Sequence, residues 1–218
     1  MKTDGIIFDF NGTLFFDTEY HVEAWDSISF ELTGKHLTRH TLETEYSGMP
    51  NIETLRKMTN NTLTDEQLEY YSQKKEAMYR DAVAKTPGGA ELAPGAEEFF
   101  DFLKQRGIPF TIASSSIIEN ISFFVKTFRL DRWIDPVDII YDDGSYTDKV
   151  QMFLDAAEKI HAKDKLLIFE DSLSGIKAAS KVNANIIAVY SEQIAPYYKD
   201  YPQIIDVIRD FSEVEGLF

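Results

Sequence analysis

The sequence predicts an α/β protein: a doubly wound parallel sheet (a Rossmann-like core) with a separate helical insertion. Three observations carry that reading. Short apolar runs recur and end in polar residues: Gly5-Ile6-Ile7-Phe8 at Asp9, Phe110-Thr111-Ile112-Ala113 at Ser114, Leu166-Leu167-Ile168-Phe169 at Glu170 and Asp171, and Ile186-Ile187-Ala188-Val189 near Tyr190. Their apolar character is continuous rather than alternating, as in strands buried on both faces. Stretches of helical spacing lie between them, and such alternation implies right-handed crossovers within one sheet. Residues 17–86 are different, rich in Glu, Thr, Tyr and Lys, with helical periodicity and no convincing strand run.

The first strand ends at Asp9, and the turn Asn11-Gly12 comes directly after it. In the insertion, Thr64-Asp65-Glu66-Gln67 reads as a helix start, with Thr64 as the cap and Gln67 three residues on. Thr86-Pro87-Gly88-Gly89-Ala90 breaks the helical pattern and returns the chain to the sheet. Pro94-Gly95 opens a helix that Gly107-Ile108-Pro109 closes. Val150, Phe153, Leu154, Ala157 and Ile160 line one face of a helix running to His161. Ser172 and Ser174 are candidate caps for a helix through Ile176 to Lys181. The expected organisation is an α/β core at 1–16 and 87–218 with a helical unit at 17–86.

Composition narrows the function. The 218 residues carry a formal net charge of −15, which argues against non-specific binding to nucleic acid or anionic membrane. There is no cysteine, so disulfides and thiolate metal sites are excluded. No apolar run has the character of a signal peptide or reaches transmembrane length, so the cytoplasm is the expected compartment. A monomer acting on a small phosphorylated metabolite is expected, with no nucleic-acid or membrane partner.

In open α/β sheets, ligands bind at the carboxyl ends of the strands. Asp9, Ser114, Glu170 and Asp171 all fall at such ends in this reading. Their convergence sets two or three carboxylates beside a hydroxyl, a hard oxygen donor set suited to Mg²⁺. Such an ion neutralises phosphate charge and orients it for in-line attack. Lys149, ahead of a helix, supplies a further positive charge.

These four stations resemble the haloacid dehalogenase superfamily. Asp9-Phe10-Asn11-Gly12-Thr13-Leu14 resembles its first motif, Ser114 its second, Lys149 its third, and Glu170-Asp171-Ser172 with Gly175 its fourth. The insertion is similar to the family's cap domain. His21-Val22-Glu23-Ala24-Trp25 resembles an element that starts the cap in the β-phosphoglucomutase and sugar-phosphate phosphatase branch. The resemblance implies that Asp9 is the nucleophile and forms an aspartyl-phosphate. It implies Mg²⁺ held by Asp9, Asp171, the Asn11 carbonyl and Glu170, and phosphate held by Ser114, the amide of Ser115 and Lys149. On the cap, His21, Gly48, Met49 and Asn51 are the candidate substrate-facing residues. The implied activity is Mg²⁺-dependent hydrolysis of a small phosphomonoester, a sugar phosphate by preference. The alternatives are a phosphomutase, or a weakly active protein that binds a phosphorylated ligand.

The chain departs from the pattern at three places. Phosphatases and mutases of the family carry Asp, the general acid/base, where this chain has Asn11. Asp17, Glu19 and His21 are the nearby candidates to replace it. Lys149 is followed by Val150-Gln151-Met152 in place of a Pro-x-Pro-Asp segment, which leaves Lys126 and Lys163 as competing assignments. Gly48 is followed by Met49-Pro50-Asn51 where the mutase has an arginine, and this favours phosphatase over mutase.

Overall fold

The computed structural model describes residues 3–46, 49–192, 194–214 and 216. By their contacts these form two compact units, 1–16 with 91–218, and 17–90. The second unit extends past the expected residue 86, because the stretch beyond its last helix stays with it, Gly88 and Gly89 both turning at positive φ.

The first unit is built on six strands: β1 (Gly5–Phe8), β2 (Phe110–Ser114), β3 (Ile140–Tyr141), β4 (Leu166–Glu170), β5 (Asn185–Val189) and β6 (Ile204–Ile208). They are all parallel in the order β3-β2-β1-β4-β5-β6, so the sheet is doubly wound outward from β1. Four helices alternate with the strands: α5 (Ala96–Arg106), α6 (Ile118–Phe128), α7 (Lys149–Lys159) and α8 (Leu173–Lys181). β1 is buried along its whole length, which is why its residues are apolar without alternation.

The sheet buries both faces. On one, Ile7, Ala113, Ile168 and Ile186 pack with Met152, Phe153 and Ala156 of α7 and with Ile176 and Ala179 of α8. On the other, Phe8 is surrounded by five aromatic rings, those of Phe99, Phe100, Phe110, Phe169 and Phe211, with centroids 4.9–6.0 Å away. The strand register aligns the ends of β1 and β4: Phe8 pairs with Phe169, and the Asp9 amide donates to the Phe169 carbonyl at 3.0 Å. The next residue on each strand, Asp9 and Glu170, therefore leaves the sheet side by side.

Helix ends obey local rules. Gly95 and Gly107 bracket α5 in the left-handed conformation. The Ser172 hydroxyl accepts from the Gly175 amide and caps α8, whereas Ser174 lies inside that helix. α7 stops at Lys159 instead of running to His161, whose φ of 57° ends helical geometry.

Among the described residues the second unit's regular elements are helices: α1 (Thr18–Thr33), α2 (Arg39–Glu45), α3 (Asn51–Met58) and α4 (Asp65–Ala84). Trp25, Ile28, Leu37, Leu55 and Leu68 form its core. The expected capping box opens α4, with Thr64 Oγ1 and the Gln67 side chain each taking the other's backbone amide. Among the described residues no helix is long and apolar enough to cross a membrane.

Candidate active site

The carboxyl ends of β1, β2 and β4 bring the predicted residues together. Lys149, the first residue of α7, places Nζ 2.6 Å from Asp9 Oδ1 and 2.9 Å from Glu170 Oε2. Lys149 therefore occupies the position that Lys126 and Lys163 were also candidates for. Carboxylate oxygens of Asp9, Glu170 and Asp171 lie within 4.8 Å of one another. Asn11 sits in the turn after β1, where Gly12 N donates to the Phe15 carbonyl at 2.8 Å. Its Oδ1 accepts from Ser116 Oγ at 2.8 Å and from Ser114 Oγ at 3.3 Å. Ser114 is buried at the end of β2, whereas Ser115 is exposed.

Two glycines make the cluster possible. Gly12 has φ +80°, and a Cβ there would run into the Asp171 carboxylate. A Cβ on Gly175 would meet the carboxylate of Glu170. Each motif thus gives up a side chain to let a carboxylate approach.

Electrostatics are unbalanced. Glu170 is fully buried and Asp9 nearly so. Burial, then the charge of Glu170, push the Asp9 carboxyl from 3.8 up to about 7, against the opposing pull of Lys149. Burial also works against the Lys149 ammonium, but Asp9 and Glu170 outweigh it and hold its pKa well above the usual lysine value. Three carboxylates face one ammonium, an excess of negative charge in a desolvated site. The donors are all hard oxygens, so the residues fit a divalent cation of the Mg²⁺ type.

Further residues orient this set. Ser172 donates to Glu170 Oε1 from both its amide (3.0 Å) and its hydroxyl (2.7 Å), while also capping α8. Thr13 Oγ1 donates to Asp171 Oδ1 at 3.3 Å. Ser116 holds Asn11. Sequence reasoning assigned none of these three a role in the site, although Thr13 and Ser172 fall inside the quoted motifs and Ser116 is the last of three serines.

In the helical unit, the half-buried His21 joins a chain of buried polar side chains. Lys75 Nζ donates to His21 Nδ1 at 2.9 Å and to Glu76 Oε1 at 2.8 Å. His21 Nε2 is 3.2 Å from Asp17 Oδ2, which also accepts from Tyr79 Oη at 2.6 Å. The His21 ring stacks on Tyr79. Asn51, at the start of α3, donates to Glu76 Oε1 at 2.7 Å. Lys75 is 2% exposed, and no signal in the sequence marked it. Met49 is exposed, and Gly48 lies outside the described residues. Glu19 is exposed and pairs with Arg39 at 2.6 Å.

A doubly wound sheet with an acidic nucleophile candidate after β1, a serine after β2, a lysine at α7 and paired acids after β4 defines a haloacid dehalogenase-type enzyme. The chain belongs to the haloacid dehalogenase-like hydrolase family, which matches it over residues 3–183. It is similar to the solved family IA, variant 3 hydrolase of Entamoeba histolytica, with 30% identity, a TM-score of 0.90, and 98% of this chain and 96% of that one covered. It is 25% identical to a probable pseudouridine-5'-phosphatase of Saccharomyces cerevisiae, over 84% of this chain and 80% of that one. A β-phosphoglucomutase of Clostridium difficile shares the fold, with a TM-score of 0.76 at 18% identity over 99% and 95% of the two chains.

Proposed function

We propose that the protein hydrolyses a small phosphorylated metabolite of the sugar-phosphate type, through a phosphoryl group carried on Asp9. The observation that carries this is the Asp9 carboxylate at the end of β1, 2.6 Å from Lys149 and clustered with Glu170 and Asp171. Asp9 attacks phosphorus and takes up the phosphoryl group. Lys149 offsets the charge on Asp9 and on the incoming phosphate, and Ser114 with the Ser115 amide bonds phosphate oxygens. Asp9, Asp171, the Asn11 carbonyl and Glu170 would hold Mg²⁺; when bound, the ion adds positive charge where the phosphoryl oxygens gather. Ser172 and Thr13 hold the carboxylates Glu170 and Asp171 in place. The helical unit serves as the cap that selects the substrate, with His21, Met49 and Asn51 as its candidate contacts.

The yeast phosphatase relative supports hydrolysis. So does Met49-Pro50-Asn51, which lacks the arginine expected of a mutase. The chain's charge of −15 supports a small metabolite over nucleic acid or anionic membrane. The test is phosphate release from a panel of sugar phosphates with Mg²⁺. The native chain releases phosphate and Asp9→Asn does not; release by Asp9→Asn at the native rate overturns the assignment.

A further inference from the structure

Lys149 is the first residue of α7, a place that suits a cation poorly, because the helix macrodipole presents positive charge there. No proline stiffens this start, since Val150, Gln151 and Met152 follow directly. Side chains fix it instead. Asp148 accepts from the Val150 amide at 2.9 Å and caps the helix. Tyr146, in the loop just ahead, packs against the core cluster that contains Met152, Phe153 and Ala156 of α7. Its Oη donates to Asp155 Oδ2 at 2.8 Å, and Gln151 Nε2 donates to Asp155 Oδ1 at 2.7 Å. Asp155 lies about 9 Å along α7 from Lys149, at ~1.5 Å per residue, so Tyr146 clamps the first two turns of the helix. Burial, then Asp155, push the Tyr146 hydroxyl up to about 12, so it keeps its proton and stays a donor. The far end of the loop is tied as well. The Asp142 amide donates to the Ser116 carbonyl at 3.1 Å, and Ser116 Oγ donates to Asn11 Oδ1. Residues 142–148 therefore run from the serine that holds Asn11 to the lysine that holds Asp9.

We infer that Tyr146 is a positioning residue for phosphoryl transfer: by clamping Asp155 it fixes the start of α7, and so keeps Lys149 Nζ on Asp9 and Glu170. The inference rests on the reading of Asp9 and Lys149 as phosphoryl-transfer groups. Tyr146 acts through Lys149 and not on the substrate. A lysine ammonium is a point charge on a flexible four-carbon stem, so the backbone at its root decides where it can rest. When that root shifts, the ammonium no longer meets Asp9 at 2.6 Å and Glu170 at 2.9 Å together. A misplacement of about 1 Å in a catalytic constellation costs up to ~10²-fold in rate.

The experiment compares the full native chain with Tyr146→Phe, Asp155→Ala, Asp155→Asn, Lys149→Met and the double variant Tyr146→Phe with Lys149→Met. Phosphate release from p-nitrophenyl phosphate with Mg²⁺ reads turnover, and urea denaturation reads stability. Crystal structures of the native and Tyr146→Phe chains read the position of Lys149. Tyr146→Phe keeps the ring and its packing and loses only the hydroxyl. We expect kcat/KM to fall about 10–10²-fold in Tyr146→Phe and in Asp155→Ala. Asp155→Asn, whose amide oxygen still accepts from Tyr146 Oη, retains most of the activity. In the Lys149→Met background, removing the hydroxyl changes kcat/KM by less than about 2-fold, because the group it positions is gone. In the Tyr146→Phe structure, Nζ moves off Asp9. A native kcat/KM in Tyr146→Phe, with stability alone reduced, overturns the inference, as does an equal fall in both backgrounds or an unmoved Lys149. If the native chain releases no phosphate, the phosphatase reading fails, while the pair of structures still decides whether Tyr146 places Lys149.

Discussion

Replacing Asp9 with asparagine is predicted to stabilise the metal-free protein while abolishing its chemistry. The Asp9 carboxyl is pushed up to about 7 by burial and by Glu170. Ionising a carboxyl held there rather than at 3.8 costs about 4 kcal/mol, at ~1.4 kcal/mol per pH unit. Proton binding sets the sign: between pH 3.8 and about 7 the folded state binds the proton more tightly than the unfolded chain. The stabilising contribution of protonated Asp9 is complete below 3.8 and is lost as pH rises through about 7. Asp9→Asn removes this cost, and the attraction of Lys149 for the ionised carboxylate is already contained in it. Lys149 keeps Glu170 at 2.9 Å, so its ammonium is not left unpaired. The expected gain is about 4 kcal/mol at most, above a pH of roughly 7.5. The assay is urea denaturation of native and variant chains, with chelator present, from about pH 4 to about pH 8. The gap should close toward the acid end, where both side chains are uncharged. A variant less stable than the native chain at the alkaline end, or a gap independent of pH, would refute the reasoning.

Other substitutions probe the supports. Gly175→Ala drives a methyl into the Glu170 carboxylate, so a loss of about 1–3 kcal/mol by denaturation and weaker Mg²⁺ stabilisation against heat are expected. Lys75→Met leaves the buried Glu76 carboxylate without its cation, and should lower the unfolding free energy by about 3–5 kcal/mol in the same assay. Thr64→Ala removes the capping box of α4 and should cost about 1 kcal/mol without changing phosphate release.

The sheet was legible because its central strands are buried on both faces, so β1, β2, β4 and β5 appear as unbroken apolar runs. β6 carried no such signature. It is an edge strand with Ile205 and Val207 exposed, and Asp206 between them interrupts the run. β3, at the opposite edge, has two residues and is too short to announce itself. Asp9, Ser114 and the Glu170–Asp171 pair were readable because each sits where an apolar run stops. Lys149 was readable as a charge ahead of a helix, but its assignment to the site leaned on the family resemblance, since nothing local separates a lysine at a helix start from a solvated one. Lys75 stayed hidden for a related reason. Within Lys74-Lys75-Glu76 the charges read as a water-facing surface, yet the fold turns the middle lysine inward against His21 and Trp25. Ser116 was invisible because its partner, Asn11, lies 105 residues away in sequence.

The two serine hydroxyls at Asn11 have an evolutionary consequence. Both point hydrogens at a single oxygen, and a carboxylate oxygen would accept them as readily as an amide oxygen does. The side chain stands in a turn beyond the sheet, outside the ring of aromatics that fixes Phe8. Asparagine and aspartate codons differ by one nucleotide. The fold thus accepts either residue here, one base change apart, with nearly the same side-chain volume and the same two hydroxyl donors. A lineage could cross it in either direction without renegotiating the core.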